Sequence, residues 1–217
     1  MVQKFSKREA ISFGWDVAKN NLGFFILLLI LVAVIFIVLD FIRELTLAKV
    51  NIFFLLIFYL IGIVVGTIIA MGLVKISLKF YDNEKVKISD LFSSYPLFFK
   101  YLIGDILYRL IIIGGLILLI VPGIIWAIQF QFFGYLIIDK GLGPIEALKK
   151  SSKITKGAKW DLFLLGILLV LINILGALAL LVGLFATIPT TMIANAFVYR
   201  KLLSQTETLQ ETETPSS

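Results

Sequence analysis

The sequence predicts an all-α membrane protein with six transmembrane helices and short interfacial helices on its cytosolic face. Three observations support this fold class. Sixty per cent of the 217 residues are hydrophobic, apolar runs of bilayer-spanning length recur along the chain, and these runs are continuous. Strands of a transmembrane barrel would instead alternate with a period of two. We assign residues 1–203 to one transmembrane domain and residues 204–217, which are rich in Ser, Thr and Glu, to a disordered tail.

The N-terminal segment predicts an interfacial helix rather than a cleaved signal peptide, because its charged region is long and contains acids. Ser6 followed by Glu9 fits a capping box, and helical spacing of the apolar residues places Trp15 at the depth of the lipid headgroups. Apolar runs then predict spans at 22–42, 52–74, 101–121 and 123–138, and two more within 161–201 that are separated between residues 180 and 184. Interfacial segments are expected at 89–100 and 141–159.

The distribution of basic residues predicts the orientation. Of the twenty Lys and Arg residues, seventeen fall in the N-terminal segment, in 75–100, in 140–159 and at the end of the last span, against two on the opposite side. This asymmetry places both termini in the cytoplasm and requires an even number of spans, which six satisfies. The net charge of +6 therefore indicates membrane topology and anionic lipid rather than nucleic acid.

The composition argues against an enzyme. The chain contains no Cys and no His, which removes thiolate chemistry and both the commonest general base and the commonest metal ligand. No nucleotide-binding loop and no nucleophile with a partner base is present, so we predict no catalytic residue, no metal and no cofactor.

Asp105 and Arg109 are the strongest candidates for an intramembrane site. They lie four residues apart on the third predicted span, with the acid first, and can pair directly. At 1.5 Å per residue, Arg109 lies about 13 Å from Lys100 and so near the bilayer midplane, where a charge is usually paired or faces a cavity. The pair forms either a substrate or ion site or an internal salt bridge that fixes helix register. Four amide residues are expected to complete a polar cluster at this level: Gln129, Gln131, Asn173 and Asn195.

The segment 141–159 predicts a basic amphipathic helix that contacts anionic lipid headgroups. Pro144 suits the first helical turn, Glu146 complements the positive helix start and Gly157 suits the C-terminal cap. Four lysines fall on one face of this helix, within an arc of roughly 120°: Lys149, Lys150, Lys153 and Lys156. The Lys and Arg distribution predicts that these lysines lie on the cytosolic side, and anionic lipid is the partner that they favour.

Two further patterns concern packing and repetition. Gly62, Gly66 and Ala70 recur every four residues on the second span, and we expect them to pack internally against another helix. A three-fold parallel repeat of interfacial helix and helix pair is also predicted. A shift of 137 residues overlays Glu9, Ala10, Lys19 and Asn20 on Glu146, Ala147, Lys156 and Gly157.

The run from Val121 to Trp160 resembles an uncharacterised bacterial and archaeal multi-pass membrane family, which includes the membrane domain attached to some glycerophosphodiester phosphodiesterases. The features that match are the Pro122-Gly123 turn, the Glu146-Ala147-Leu148 triplet, the Ser151/Ser152 pair and Lys156-Gly157 before Trp160. The resemblance implies six helical spans without an assigned reaction. The family often carries an Arg where this chain has Gln129, so a role tied to that charge is not carried over. The soluble phosphodiesterase domain is absent, so no hydrolase activity is implied.

The sequence thus predicts a non-enzymatic integral protein of the cell membrane. It would act as a scaffold or membrane-homeostasis factor that contacts anionic lipid or a protein partner on the cytosolic side. The alternative is a small transporter or lipid-handling protein that uses Asp105, Arg109 and Gln129.

Overall fold

In the computed structural model, the described residues are 5–47, 52–179 and 181–213, and they form nine α-helices joined by turns. Two short 3₁₀ turns, Ile88–Leu91 and Tyr95–Leu97, precede the fourth helix. The helices are α1 Lys7–Asn20, α2 Leu22–Leu47, α3 Ile52–Tyr81, α4 Phe98–Leu118, α5 Ile120–Phe130, α6 Phe133–Lys140, α7 Pro144–Ile154, α8 Lys159–Leu178 and α9 Leu184–Glu213.

Five segments in the described part of the chain are long and apolar enough to cross a membrane. They are Leu22–Glu44, Leu56–Tyr81, Ile88–Leu118, Ile120–Lys140 and Lys159–Leu178. The part of the chain that the structure describes is all-helical, and its apolar segments are compatible with a multi-pass membrane protein. A sixth span along α9 stays a prediction, because the apolar part of this helix is short and is followed by Arg200 and Lys201.

The α1 helix forms where the sequence predicts it, but its apolar face is covered by protein. The Ser6 hydroxyl accepts a hydrogen bond from the Glu9 amide at 3.2 Å and caps the helix. Gly14 is buried and lies so close to α9 that a Cβ atom there would be 2.3 Å from the Thr190 carbonyl oxygen. The α1 helix therefore packs along α9 with Trp15 on its exposed side, and its position at the membrane interface stays a prediction.

The α3 helix continues seven residues beyond the predicted end of the second span. Lys79, which was expected in a loop, lies in its last turn and pairs with Asp90 at 3.0 Å. Gly72 lets the 3₁₀ turn at Leu91 lie directly against the α3 backbone. The interfacial segment expected at 89–100 is accordingly two tight turns followed by the first residues of α4.

The core lies between α6, α7, α8 and α9, and its largest fully buried side chains include Phe132, Leu136, Ile154, Leu165 and Tyr199. A second, smaller cluster joins α2 to α3 around Phe25 and Ile76. The basic helix α7 is therefore anchored in the main core rather than attached loosely to the bundle.

The predicted disordered tail differs from the structure over its first ten residues. The α9 helix continues through Ser204 to Glu213, and residues 214–217 lie outside the described part. Two contacts support this continuation. The Thr206 side chain is almost fully buried and donates to the Leu202 carbonyl at 2.9 Å, and Glu207 lies within ion-pairing distance of Lys140 and Lys150.

The helix starts agree with the offset of the predicted repeat. The α7 and α8 helices begin at Pro144 and Lys159, which are 137 residues after the starts of α1 and α2 at Lys7 and Leu22. The three-fold repeat as a whole stays a prediction.

Candidate functional site

A break in the fourth apolar segment is the feature around which the site is built. The α5 helix ends at Phe130 and α6 begins at Phe133, and side chains from α7 bind the backbone groups beside the break. The Ser151 hydroxyl donates to the Gln129 carbonyl at 3.0 Å and accepts from the Phe132 amide at 3.2 Å. The Thr155 hydroxyl donates to the same carbonyl at 3.1 Å. Both hydroxyl residues are fully buried, so these bonds satisfy polar groups that water does not reach.

The Gln129 side chain joins α5 to both neighbouring helices. Its amide nitrogen donates to the Ser152 hydroxyl at 2.7 Å, and its amide oxygen accepts from the Lys159 ammonium group at the start of α8. The broken helix, the basic helix and the α8 N-terminus are thus connected through one amide. The sequence contained a signal for this arrangement in the Ser151/Ser152 pair, but gave no indication that Gln129 is its partner.

The α7 helix holds its lysines on a fixed, exposed face. Pro144 occupies the first turn, and the Gly143 amide donates to the Glu146 carboxylate at 3.3 Å, which closes the helix start. The opposite face is buried in the core and consists of Ala147, Leu148, Ser151 and Ile154. Gly157, with a φ of +86°, ends the segment in the left-handed conformation that glycine favours.

Three of the four predicted lysines are available to a ligand. Lys149, Lys153 and Lys156 are exposed, and among the described residues none of them has a carboxylate within ion-pairing distance. Lys150 is half-buried and lies 3.4 Å from the Glu207 carboxylate. The basic face of α7, defined here as Lys149, Lys153 and Lys156, therefore carries uncompensated positive charge on a rigid support.

Asp105 and Arg109 form the predicted pair, but on an open surface. The Arg109 Nε atom donates to the Asp105 carboxylate at 2.7 Å, and 70% of the Arg109 side chain is exposed. The pair lines a cleft of about 570 Å³ between α3 and α4. Gly62 and Gly66 lie on the same cleft and have no neighbouring atom within 4 Å of an added Cβ, so the expected internal packing of this small-residue stripe is wrong.

The six residues predicted to form one polar cluster occupy separate places. Asp105 and Arg109 face α3, whereas Gln129 faces α7 and α8, because α4 and α5 turn these side chains toward different neighbours. Gln131 donates to the Ile128 carbonyl at 3.0 Å, Asn173 donates to Thr191 at 3.4 Å, and Asn195 is half-buried on α9. Across the described residues, no group of three His, Cys, Asp or Glu side chains is placed to hold a metal ion.

A charge network around Arg200, in the middle of α9, was not predicted. The Arg200 guanidinium donates through Nη1 to Asp139 at 2.7 Å and through Nε to Asp82 at 3.1 Å, and the Tyr199 hydroxyl donates to Asp139 at 2.8 Å. The network ties the ends of α3 and α6 to the middle of α9. Each member lies beside a predicted helix end, but the sequence does not show which helix ends meet.

Comparisons with known proteins find similarity to one family and to several bacterial proteins, all without a described function. The family described as "Protein of unknown function (DUF975)" matches residues 110–206, a range that contains the helix break, α7 and Arg200 but neither Asp105 nor Arg109. An uncharacterised protein of Mycobacterium bovis is 31% identical over 122 residues, which are 56% of this chain and 37% of that protein. Two uncharacterised proteins of Mycobacterium tuberculosis are 31% and 30% identical over the same extent.

The chain therefore spans little more than a third of the length of the curated relatives that it matches. No solved structure matches it. Neither the family nor these relatives is described as a phosphodiesterase, so the predicted relation to the membrane domain of glycerophosphodiester phosphodiesterases stays a prediction.

Proposed function

We propose that this chain is a non-enzymatic integral protein of the cell membrane with a scaffold or membrane-homeostasis role. Both termini would lie in the cytoplasm, and the basic face of α7 would contact anionic lipid headgroups. The main observation in support is the basic face of α7. Lys149, Lys153 and Lys156 are exposed and have no carboxylate partners among the described residues, and the other face of the helix is buried. We also propose that the chain is related to the membrane domain of glycerophosphodiester phosphodiesterases, and we propose no phosphodiesterase activity for it.

The energetics favour a lipid surface as the ligand of this face. A lysine beside an anionic membrane surface contributes about 1 kcal/mol, so three lysines contribute roughly 3 kcal/mol when all of them reach the headgroups. A rigid helix presents them together without loss of backbone entropy on binding. The absence of Cys and His from the chain supports a non-enzymatic role.

The positions of the other charged contacts support a single charged end of the bundle. Lys7 lies 2.6 Å from Asp161, Lys100 donates to the Gly141 carbonyl at 2.8 Å, and Lys150 lies near Glu207. These contacts join the N-terminal segment, the start of α4, the α7 region and the end of α9, all of which the Lys and Arg distribution predicts to be cytosolic.

A second candidate function is transport or lipid handling through the cleft between α3 and α4. The observation that favours it is the Asp105–Arg109 pair on a cleft of about 570 Å³. Gln129, which was expected to take part, is bonded to Ser152 and Lys159 instead. This function would therefore rest on the charged pair and the residues of α3.

Neutralising the basic face of α7 is expected to reduce retention of anionic lipid. We predict that Lys149→Gln, Lys153→Gln and Lys156→Gln together weaken binding of phosphatidylglycerol roughly a hundredfold, because about 3 kcal/mol is lost. The measurement is native mass spectrometry of the purified protein titrated with phosphatidylglycerol and, separately, with phosphatidylcholine. Phosphatidylcholine binding should not change.

The matched control carries the same change in charge elsewhere. Lys19, Lys85 and Lys87 are exposed lysines outside α7, and replacing all three with Gln should leave phosphatidylglycerol binding within a few fold of the unmodified protein. Equal losses in both triple variants would show that net charge, rather than α7, controls binding, and would contradict the proposal. Loss of a bound ligand with Asp105→Asn and Arg109→Gln alone would favour the second candidate function.

A further inference from the structure

An apolar groove between α5 and α8 ends at a single cation. The groove has a volume of about 680 Å³, within the range of small-ligand sites, and its lining is almost entirely apolar. The α5 helix contributes four aliphatic side chains, and α8 contributes Lys159, Trp160 and Phe163. The aliphatic residues are Val121, Ile124, Ile125 and Ile128. A long apolar surface with one charge at its end matches an amphiphile in shape and polarity.

The positive charge of Lys159 is not cancelled by a neighbour. Its ammonium group donates to the neutral Gln129 side chain, and among the described residues no carboxylate lies within ion-pairing distance of it. The nearby acid on α8, Asp161, is paired instead with Lys7 at 2.6 Å. An anion placed at Lys159 would therefore meet a cation that is fixed in position by Gln129 and free of a competing carboxylate.

An exposed aromatic pair lies beside this cation. Trp160 follows Lys159, has 70% of its surface exposed and stacks on Phe163 with ring centroids 5.4 Å apart. Exposed tryptophans beside a span are typical of the membrane–water interface. From Lys159 the groove runs along α5 toward Val121, which lies at the other end of that helix.

We infer that this groove binds one anionic phospholipid, with its phosphate at the Lys159 ammonium group and an acyl chain along α5. The inference rests on the proposed function and names a site for it that is distinct from the basic face of α7. Charge complementarity at Lys159 favours an anionic headgroup, and the lining of the groove favours a chain over a water-soluble phosphate. The α7 lysines then provide a general attraction to the leaflet, whereas Lys159 holds a single lipid.

The test compares three single variants in the full chain by native mass spectrometry, with phosphatidylglycerol, phosphatidylcholine and glycerol phosphate as separate probes. Lys159→Gln keeps a donor for Gln129 and should weaken phosphatidylglycerol binding at the tightest site at least about fivefold. Lys159→Arg keeps the charge and should bind within twofold of the unmodified protein. Ile125→Trp fills the groove, leaves the cation in place and should also lose the tightest site. Glycerol phosphate, which has no chain, should not bind.

The outcomes separate this site from the proposed function. If Lys159→Gln and Ile125→Trp leave phosphatidylglycerol binding unchanged while the α7 triple variant abolishes it, the groove inference is overturned and the proposed function survives. Tight binding of glycerol phosphate would also overturn the groove inference, because the acyl chain would then be dispensable. Unchanged binding in all variants, the α7 triple included, would overturn both.

Discussion

Replacing Arg200 with Met is expected to lower the free energy of unfolding by about 3 kcal/mol, since it leaves two carboxylates without their cation. Arg200 binds Asp82 at the end of α3 and Asp139 at the end of α6. The Asp139 side chain is only 13% exposed, so its charge would be poorly solvated once the guanidinium is gone. The Asp82 side chain is 30% exposed, so it should contribute less than Asp139 to the loss of stability. The measurement is unfolding in mixed micelles with increasing SDS.

A neighbouring residue and a second substitution serve as controls. Lys201 lies next to Arg200, and its ammonium group lies 6.0 Å from the Phe197 ring centroid. Lys201→Met should change stability by less than about 1 kcal/mol. Adding Asp139→Asn to Arg200→Met should recover part of the loss, because the uncompensated carboxylate is removed. A double variant as unstable as Arg200→Met would show that the network contributes through packing rather than charge.

Gly72→Ala should destabilise the protein by about 1–3 kcal/mol, the usual cost of inserting atoms into a close-packed contact. A Cβ atom at Gly72 would be 1.9 Å from the Leu91 carbonyl oxygen, which belongs to the backbone and cannot rotate away. The turn at Leu91 would have to separate from α3. Alanine is the better helix former by about 1 kcal/mol, so destabilisation here would run against helix propensity. Thermal unfolding in detergent, followed by circular dichroism, measures the effect.

Gly66→Ala provides the matched control on the same helix. Gly66 has no neighbouring atom within 4 Å of an added Cβ, so the same substitution should be neutral or slightly stabilising. If both variants are equally stable, the close approach of α3 and the turn at Leu91 does not exist in the folded protein.

The sequence predicted the positions of the helices better than it predicted which helices pack against each other. Span-length apolar runs and the caps at Ser6 and Gly157 are local signals, and the helices begin and end close to where those signals lie. The end of α3 and the continuation of α9 were missed because they depend on distant partners. Asp90 lies outside α3, and Glu207 gains its partners, Lys140 and Lys150, only when α6 and α7 fold against α9.

The candidate site was likewise predicted only in part. The exposed lysines of α7 follow from helical periodicity, which the sequence contains. The contacts of Gln129 do not, since side-chain direction around α5 depends on the break at residues 131–132 and on the hydroxyls that α7 inserts there. A similar depth in the membrane placed Gln129 beside Arg109 in the prediction. The structure turns Gln129 toward α7 and α8 and Arg109 toward α3, because position along a span does not specify the face of a helix.

Single-cysteine labelling tests whether the basic face of α7 lies at the cytoplasmic surface of the membrane, as we propose. The chain has no native Cys, so each introduced thiol is unique. Lys153 lies on the basic face, and Arg43 lies near the far end of α2, paired with Asp40. With a membrane-impermeant maleimide, Arg43→Cys should react in intact cells and Lys153→Cys only after permeabilisation. Labelling of Lys153→Cys in intact cells would place α7 on the outer side of the membrane and contradict the proposed function.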